Sequence, residues 1–212
     1  MNPGNQKFEI TDIAHPEYPF LHRIRALRDI GPTVKAGDLG GFVEQECNLS
    51  YEDRDSWIAH DAIASNGAFV TDGTLVRDQA VICGEARAYR AVLSGRARVE
   101  DHARVDGGRV ENCARLSGHG MAAAITPSKY PVLSGECIVH GIVKGNVLVI
   151  SHAIVLGDEK IVNEALDRLV VTEHGRVIEL SPDRDKLVPS AVYFGYDPPK
   201  RKQKHKREGA ER

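Results

Sequence analysis

Residues 57–117 read WIAHDAIASNGAFVTDGTLVRDQAVICGEARAYRAVLSGRARVEDHARVDGGRVENCARLS. Ile58, Ala64, Val70, Val76, Ile82 and Ala88 stand six residues apart. A small residue precedes most of them by two places: Ala62, Ala68, Thr74, Ala80 and Ala86. The count then slips by one, and Leu93, Val99 and Val105 follow, with Ala97 and Ala103 ahead of the last two. A second slip leads to Val110 and Leu116. This is a repeat of the form small-x-aliphatic-x-x-x. Residues at i and i+6 do not share one face of an α-helix. A surface strand alternates for about four to eight residues and stops. Here two alternate apolar positions are followed by a polar corner, as in Ser65-Asn66-Gly67, Thr71-Asp72-Gly73 and Asp106-Gly107-Gly108. Gly, Asn and Asp tolerate the backbone angles that corners need. The pattern predicts very short strands joined by tight turns, coiled so that each strand pairs with one above and one below.

The rest of the chain fits around that core. It has 212 residues, enough for one domain with a substantial interior. Gly is abundant, at 20 residues, as many corners demand. Aromatic residues are few, at 6%, as a narrow interior filled by Val, Ile, Leu and Ala requires. The formal charge of -2 gives no global pull toward nucleic acid or an anionic membrane. No apolar run approaches the length of a membrane span and no apolar signal segment opens the chain, so a cytoplasmic protein without membrane contact is expected. Cys47, Cys83, Cys113 and Cys137 form no C-x-x-C pair and are expected to be free thiols.

Four segments are expected. Residues 1–36 form an N-terminal cap, with a short strand near Phe8–Ile10 and a brief helix or pair of strands between Phe20 and Ile30. Residues 37–163 form the solenoid. Its rhythm breaks after Leu116, and 118–131 reads as an insertion thrown out from a corner; Cys137, Val143, Val149, Val155 and Ile161 then resume the six-residue spacing. Residues 164–199 comprise a hairpin, built from Leu169–Thr172 and Arg176–Leu180, and a strap that carries Val188, Val192, Tyr193, Phe194 and Tyr196. Residues 200–212 are a basic, solvated tail with weak polyanion contact as the alternative.

The repeat resembles the hexapeptide-repeat left-handed β-helix family. The leader from Arg23-Ile24-Arg25-Ala26-Leu27 through Gly40-Gly41-Phe42-Val43 to Asn48-Leu49-Ser50 resembles a bacterial and phage subgroup of that family that carries an acyltransferase label. The resemblance covers residues 20 to about 160. It implies an all-β, single-stranded left-handed parallel β-helix with three hexapeptides per coil, and homotrimers with sites between subunits.

Chemistry is expected at two sets of residues. His102, His140 and His152 each precede a first repeat position, and His119 shares that phase. From His102 to His119 is 17 residues, one full coil with one shortened side, so the two should stack on one edge about 4.8 Å apart. His140 and His152 fall on different edges. An acyltransferase would use His119, with His102 next, as general base, because the imidazole pKa lies near neutrality. The resemblance implies acyl-coenzyme A or an acyl carrier protein as donor. The competing reading is a trimer that binds without turnover and holds a small anion, a nucleotide among the candidates. Arg98, Arg104, Arg115, His119 and Tyr130 are the expected ligand contacts, since guanidinium forks match phosphate and carboxylate. A purely structural scaffold is the third reading. No resident cofactor and no metal site are expected.

Overall fold

A computed structural model describes residues 4–181. The chain is an all-β solenoid of short, mostly parallel strands. Three faces recur in each coil, and each carries one column of inward side chains. On the first face Val43 lies against Ala64, then Ile82, Val99, Leu116, Val139 and Val155 follow in register. The second face stacks Leu49, Val70, Ala88, Val105, Ala122, Val143 and Ile161. The third stacks Ile58, Val76, Leu93, Val110, Leu133, Val149 and Val171. Every one of these side chains is buried. The six-residue spacing therefore marks successive faces, because one inward aliphatic is needed per face to fill a narrow core.

In most coils the residue two places before the inward aliphatic is also buried, in columns such as Ala62, Ala80, Ala97, Ala114, Cys137 and Ala153. Cys137 belongs to this small-residue column. The aliphatic place in its coil is taken by Val139, paired between Leu116 and Val155. The spacing alone puts Cys137 in the aliphatic phase, because the corner after Val139 is short: Gly120 is followed by Met121 on the second face, and Gly141 by its partner Ile142. A Cβ on Gly141 would stand 2.2 Å from the Leu156 carbonyl oxygen, so only glycine lets the backbone turn there. The four cysteines are free, and burial pushes the Cys137 thiol up to about 11.

The corners use left-handed backbone. The corner from third to first face places His60, Asp78, Gly95, Asn112, Gly135 and Ser151 at positive φ. The next corner uses Asn66, Gly84, Asp101 and Gly118. The third corner uses Asp72, Gly73, Arg90, Gly107, Gly108 and Gly145. Glycine, asparagine and aspartate were the expected residues; His60, Arg90 and Ser151 are not corner formers by type and are held there by the ladders on either side.

At the N-terminal end Phe8–Ala14 and His22–Ala26 form an antiparallel hairpin, and His22–Ala26 pairs antiparallel with Leu39–Val43, which opens the parallel stack. The stretch 20–30 thus holds a strand and not a helix. Fully buried Lys7 fixes the hairpin. Its ammonium donates to the Ser50 carbonyl at 2.8 Å and to Asp53 Oδ1 at 2.7 Å. Asp53 Oδ2 also accepts from Ser56 Oγ, Thr71 Oγ1 and the Asp72 amide. Burial lowers the Lys7 pKa, with Asp53 opposing. Burial raises that of Asp53, but the bonds from Lys7 and Ser56 outweigh it and hold the carboxyl below its ordinary range.

At the other end Lys160–Asn163 extends the second face, and Arg168–Thr172 pairs antiparallel with Gly175–Glu179, the expected hairpin. The stretch 164–167 between them is irregular. The expected strap at 182–199 and tail at 200–212 lie outside the described residues. Among the described residues no helix is long and apolar enough to cross a membrane.

Two substitutions on one face separate the columns. Leu116→Ala opens a cavity and should cost about 3 kcal/mol in chemical denaturation, whereas Cys137→Ala should cost under about 1.5 kcal/mol. Equal losses would mean that the two columns are not distinct. A third variant probes the hairpin clamp. Asp53→Asn leaves the buried Lys7 ammonium without its carboxylate and should cost about 3 kcal/mol at neutral pH. Because the folded pKa of Asp53 is depressed, its contribution is present above the unfolded pKa and fades as pH falls through the folded one. The gap between variant and wild type should therefore narrow on acidification, and a gap independent of pH would remove Asp53 from the account.

Candidate functional site

Two places on the solenoid gather chemically active side chains. The first is the corner between the first and second faces. His102 and His119 stack there as the spacing required, with ring centroids 5.1 Å apart and planes at 8°. The Glu85 carboxylate lies 3.2 Å from His102 Nδ1. Among the described residues His119 makes no hydrogen bond or ion pair. His140 occupies the same corner one coil on. The shortened turn brings it level with Ser117, whose Oγ lies 3.1 Å from His140 Nδ1. His152 sits on another corner, 3.1 Å from Glu136, as expected.

The arginines beside this corner are engaged. Arg98 and Arg115 are neighbours in register on the first face, and both converge on Glu100, which is only 7% exposed. Arg104 lies across the corner on the second face. It spans from the Tyr89 ring, 4.8 Å from its guanidinium carbon, to Asp106 at 3.2 Å. Arg98, Arg115, Arg104 and His119 thus flank one edge, and the three guanidiniums are taken up by Glu100 and Asp106. Tyr130 stands apart, at the third corner.

That third corner holds the second place. Met121–Ala123 is a regular strand, paired with Arg104–Asp106 and with Ile142–Lys144. Within 118–131 the chain leaves the sheet only after Ala123 and returns at Val132, which pairs with Arg109. The Ala124 amide donates to the Asp106 carbonyl at 2.8 Å as the chain leaves, and the Arg109 amide donates to the Pro131 carbonyl at 3.0 Å as it returns. A tight turn between Ile125 and Lys129 shapes the tip, and Lys129 Nζ ties it to the Glu164 carbonyl at 2.5 Å. The excursion is therefore braced at both ends and at its tip.

Between it and the solenoid lies an open groove of about 460 Å³. Arg90, Val92, Arg109, Ile125, Pro127 and Tyr130 are among its walls. Arg90 donates to Asp106 at 2.5 Å, a bond that, with Arg104 adding to it, holds the Asp106 carboxyl below its usual range against the opposing effect of burial. Arg109 is freer. Its Nε lies 3.3 Å from Glu111 but is buried and makes no hydrogen bond. Among the described residues its guanidinium makes no side-chain hydrogen bond, nor does the Tyr130 hydroxyl. No group of three His, Cys, Asp or Glu suited to a metal occurs among the described residues.

Of the residues expected to touch a ligand, only Tyr130 lines this groove. Arg90 was missed, and Arg109, though one of the repeat's arginines that can offer a fork to an anion, was not singled out, yet the sequence carried a signal for both. The first slip in the rhythm falls between Ala88 and Leu93, around Arg90, and the second between Val105 and Val110, around Gly107, Gly108 and Arg109. Both slips shorten the same corner, one coil apart, and the excursion leaves from that corner in the next coil.

The fold places the chain among the β-solenoids. No protein-family model matches it, and no curated protein matches it significantly.

The seat of the excursion is testable through Gly108. Its φ of +120° and an ideal Cβ 2.6 Å from the Pro131 carbonyl oxygen leave no room for a side chain. Gly108→Ala should cost about 2 kcal/mol and speed hydrogen exchange at the Arg109 amide, which bonds that same carbonyl. Unchanged exchange at Arg109 would show that Gly108 does not seat the excursion.

Proposed function

We propose that this chain is a non-catalytic binding protein that holds a small anionic ligand in the groove beside the excursion. The finer architecture belongs to the same reading: a left-handed hexapeptide-repeat helix with capped ends, cytoplasmic, assembled as a homotrimer whose clefts take in the groove. One observation carries it. Arg109, with Glu111 3.3 Å from its Nε and no side-chain hydrogen bond among the described residues, brings a guanidinium to a concave, partly apolar wall. A guanidinium fork matches a carboxylate or phosphate in two parallel hydrogen bonds. A concave groove with an apolar wall strengthens such a contact relative to the internally neutralised edge of Arg98, Arg104 and Arg115.

A second reading has its own support. The stacked His102 and His119 stand at the corner before the strand Met121–Ala123 from which the excursion leaves, and His119 is exposed and unbonded among the described residues, free to take a proton from an acceptor hydroxyl or amine. An acyltransferase with acyl-coenzyme A as co-substrate would use it so. Among the described residues His119 has no carboxylate to orient it, which places this reading second.

Thermal melts in the presence of anions distinguish the two. A ligand at a hundred times its dissociation constant stabilises the folded state by about 2.7 kcal/mol. Inorganic phosphate or a nucleoside monophosphate should raise the melting temperature of the wild type but not of Arg109→Ala, with no product formed. A rise that survives Arg109→Ala and disappears in Arg115→Ala would move the site to the histidine edge. Acyl transfer that collapses in His119→Ala would replace binding by catalysis.

A further inference from the structure

We infer that the groove selects a particular kind of anion, one whose charged group is borne directly on an aromatic ring system or a short distance from it. This rests on the anion-binding reading and says what the rest of the ligand must be. The groove has two unlike parts. Arg109 offers charge and hydrogen-bond donors, and Arg90 adds a second guanidinium that Asp106 already holds by one nitrogen. The other wall is apolar: Val92 on the solenoid side, with Ile125 and Pro127 on the excursion. Tyr130 bridges the two, with a ring to stack and a hydroxyl that has no partner among the described residues.

A bare inorganic anion would use only the first part. It would leave the apolar wall wet, and about 460 Å³ is far more space than it fills. An uncharged ring would use only the second part and leave the Arg109 fork unmet. A ligand that carries both satisfies Arg109, covers Ile125, which is 40% exposed, and places a ring against Tyr130 in the offset or edge-on geometry that aromatic pairs prefer. The bracing of the excursion at Asp106, Pro131 and Glu164 means that this wall is already in place before the ligand arrives, which lowers the cost of binding.

The charged group can be a carboxylate or a phosphate, since the fork accepts both. Four probes separate the possibilities: benzoate, adenosine monophosphate, inorganic phosphate and benzyl alcohol, each titrated calorimetrically into the full-length chain. The expected result is that benzoate or adenosine monophosphate binds more tightly than both phosphate and benzyl alcohol. The tighter of the two names the charged group. Tyr130→Ala should weaken that probe about fivefold while Tyr130→Phe, which keeps the ring, does not. Arg109→Ala should weaken it about thirtyfold.

Phosphate binding as tightly as both aryl anions, or Tyr130→Ala without effect on them, would overturn the inference and leave the anion-binding reading in place. Benzyl alcohol binding as tightly as benzoate would overturn it as well, because the charge would then be idle. If none of the three anions binds, the anion-binding reading itself falls and the inference falls with it.

Discussion

Parallel backbone pairing between successive coils is the constraint on which the molecule depends. Each short strand is too small to be stable alone and exists because the coils above and below satisfy its N–H and C=O groups. Pairing in register forces every inward side chain to lie directly over the one before it. A core built this way is a set of columns, and each column accepts only what its neighbours leave room for. Val99 between Ile82 and Leu116, or Cys137 between Ala114 and Ala153, illustrates the rule. The buried Lys7–Asp53 contact is the polar counterpart at the N-terminal end, where the hairpin cannot rely on a full column beneath it.

Much of this was legible in the residues. One aliphatic per face is a requirement of packing, so it appears as a period, and the His102–His119 stack could be derived from that period alone. The failures have physical causes. Cys137 was put in the wrong column because a spacing of six assumes full corners, and the corner at His140–Gly141 is short. The N-terminal strands carry no such period, since antiparallel pairing at the end of a stack is not repeated, and a helix between Phe20 and Ile30 was an open alternative.

The candidate site was harder to find for a related reason. A ladder exposes half its side chains, and arginines at outward positions look alike in a sequence. Arg98 and Arg115 converge on one buried glutamate. Arg109 has a glutamate of its own beside it, the half-buried Glu111, and an excursion that begins 15 residues downstream, at Ala124, gives it a concave setting. What surrounds an outward arginine lies in the fold and not in its place in the repeat. The outward tyrosine was recognised because it sat inside a visible interruption; the groove's other wall lay at the slips in the count.

The three corners are unequal in a way that bears on how such a molecule can change. Arg87–Leu93 and Arg104–Val110 run as unbroken strands around the third corner, which is shortened there, opened for Ala124–Pro131 in the next coil, and opened again between Asn163 and Arg168. After each change the third face resumes its register. The corner acts as a slack point at which residues are gained or lost while the columns stay aligned. A lineage of such chains can therefore vary the length of the loop at this seam, coil by coil, while the short turn at His140–Gly141 is a single departure on the seam before it.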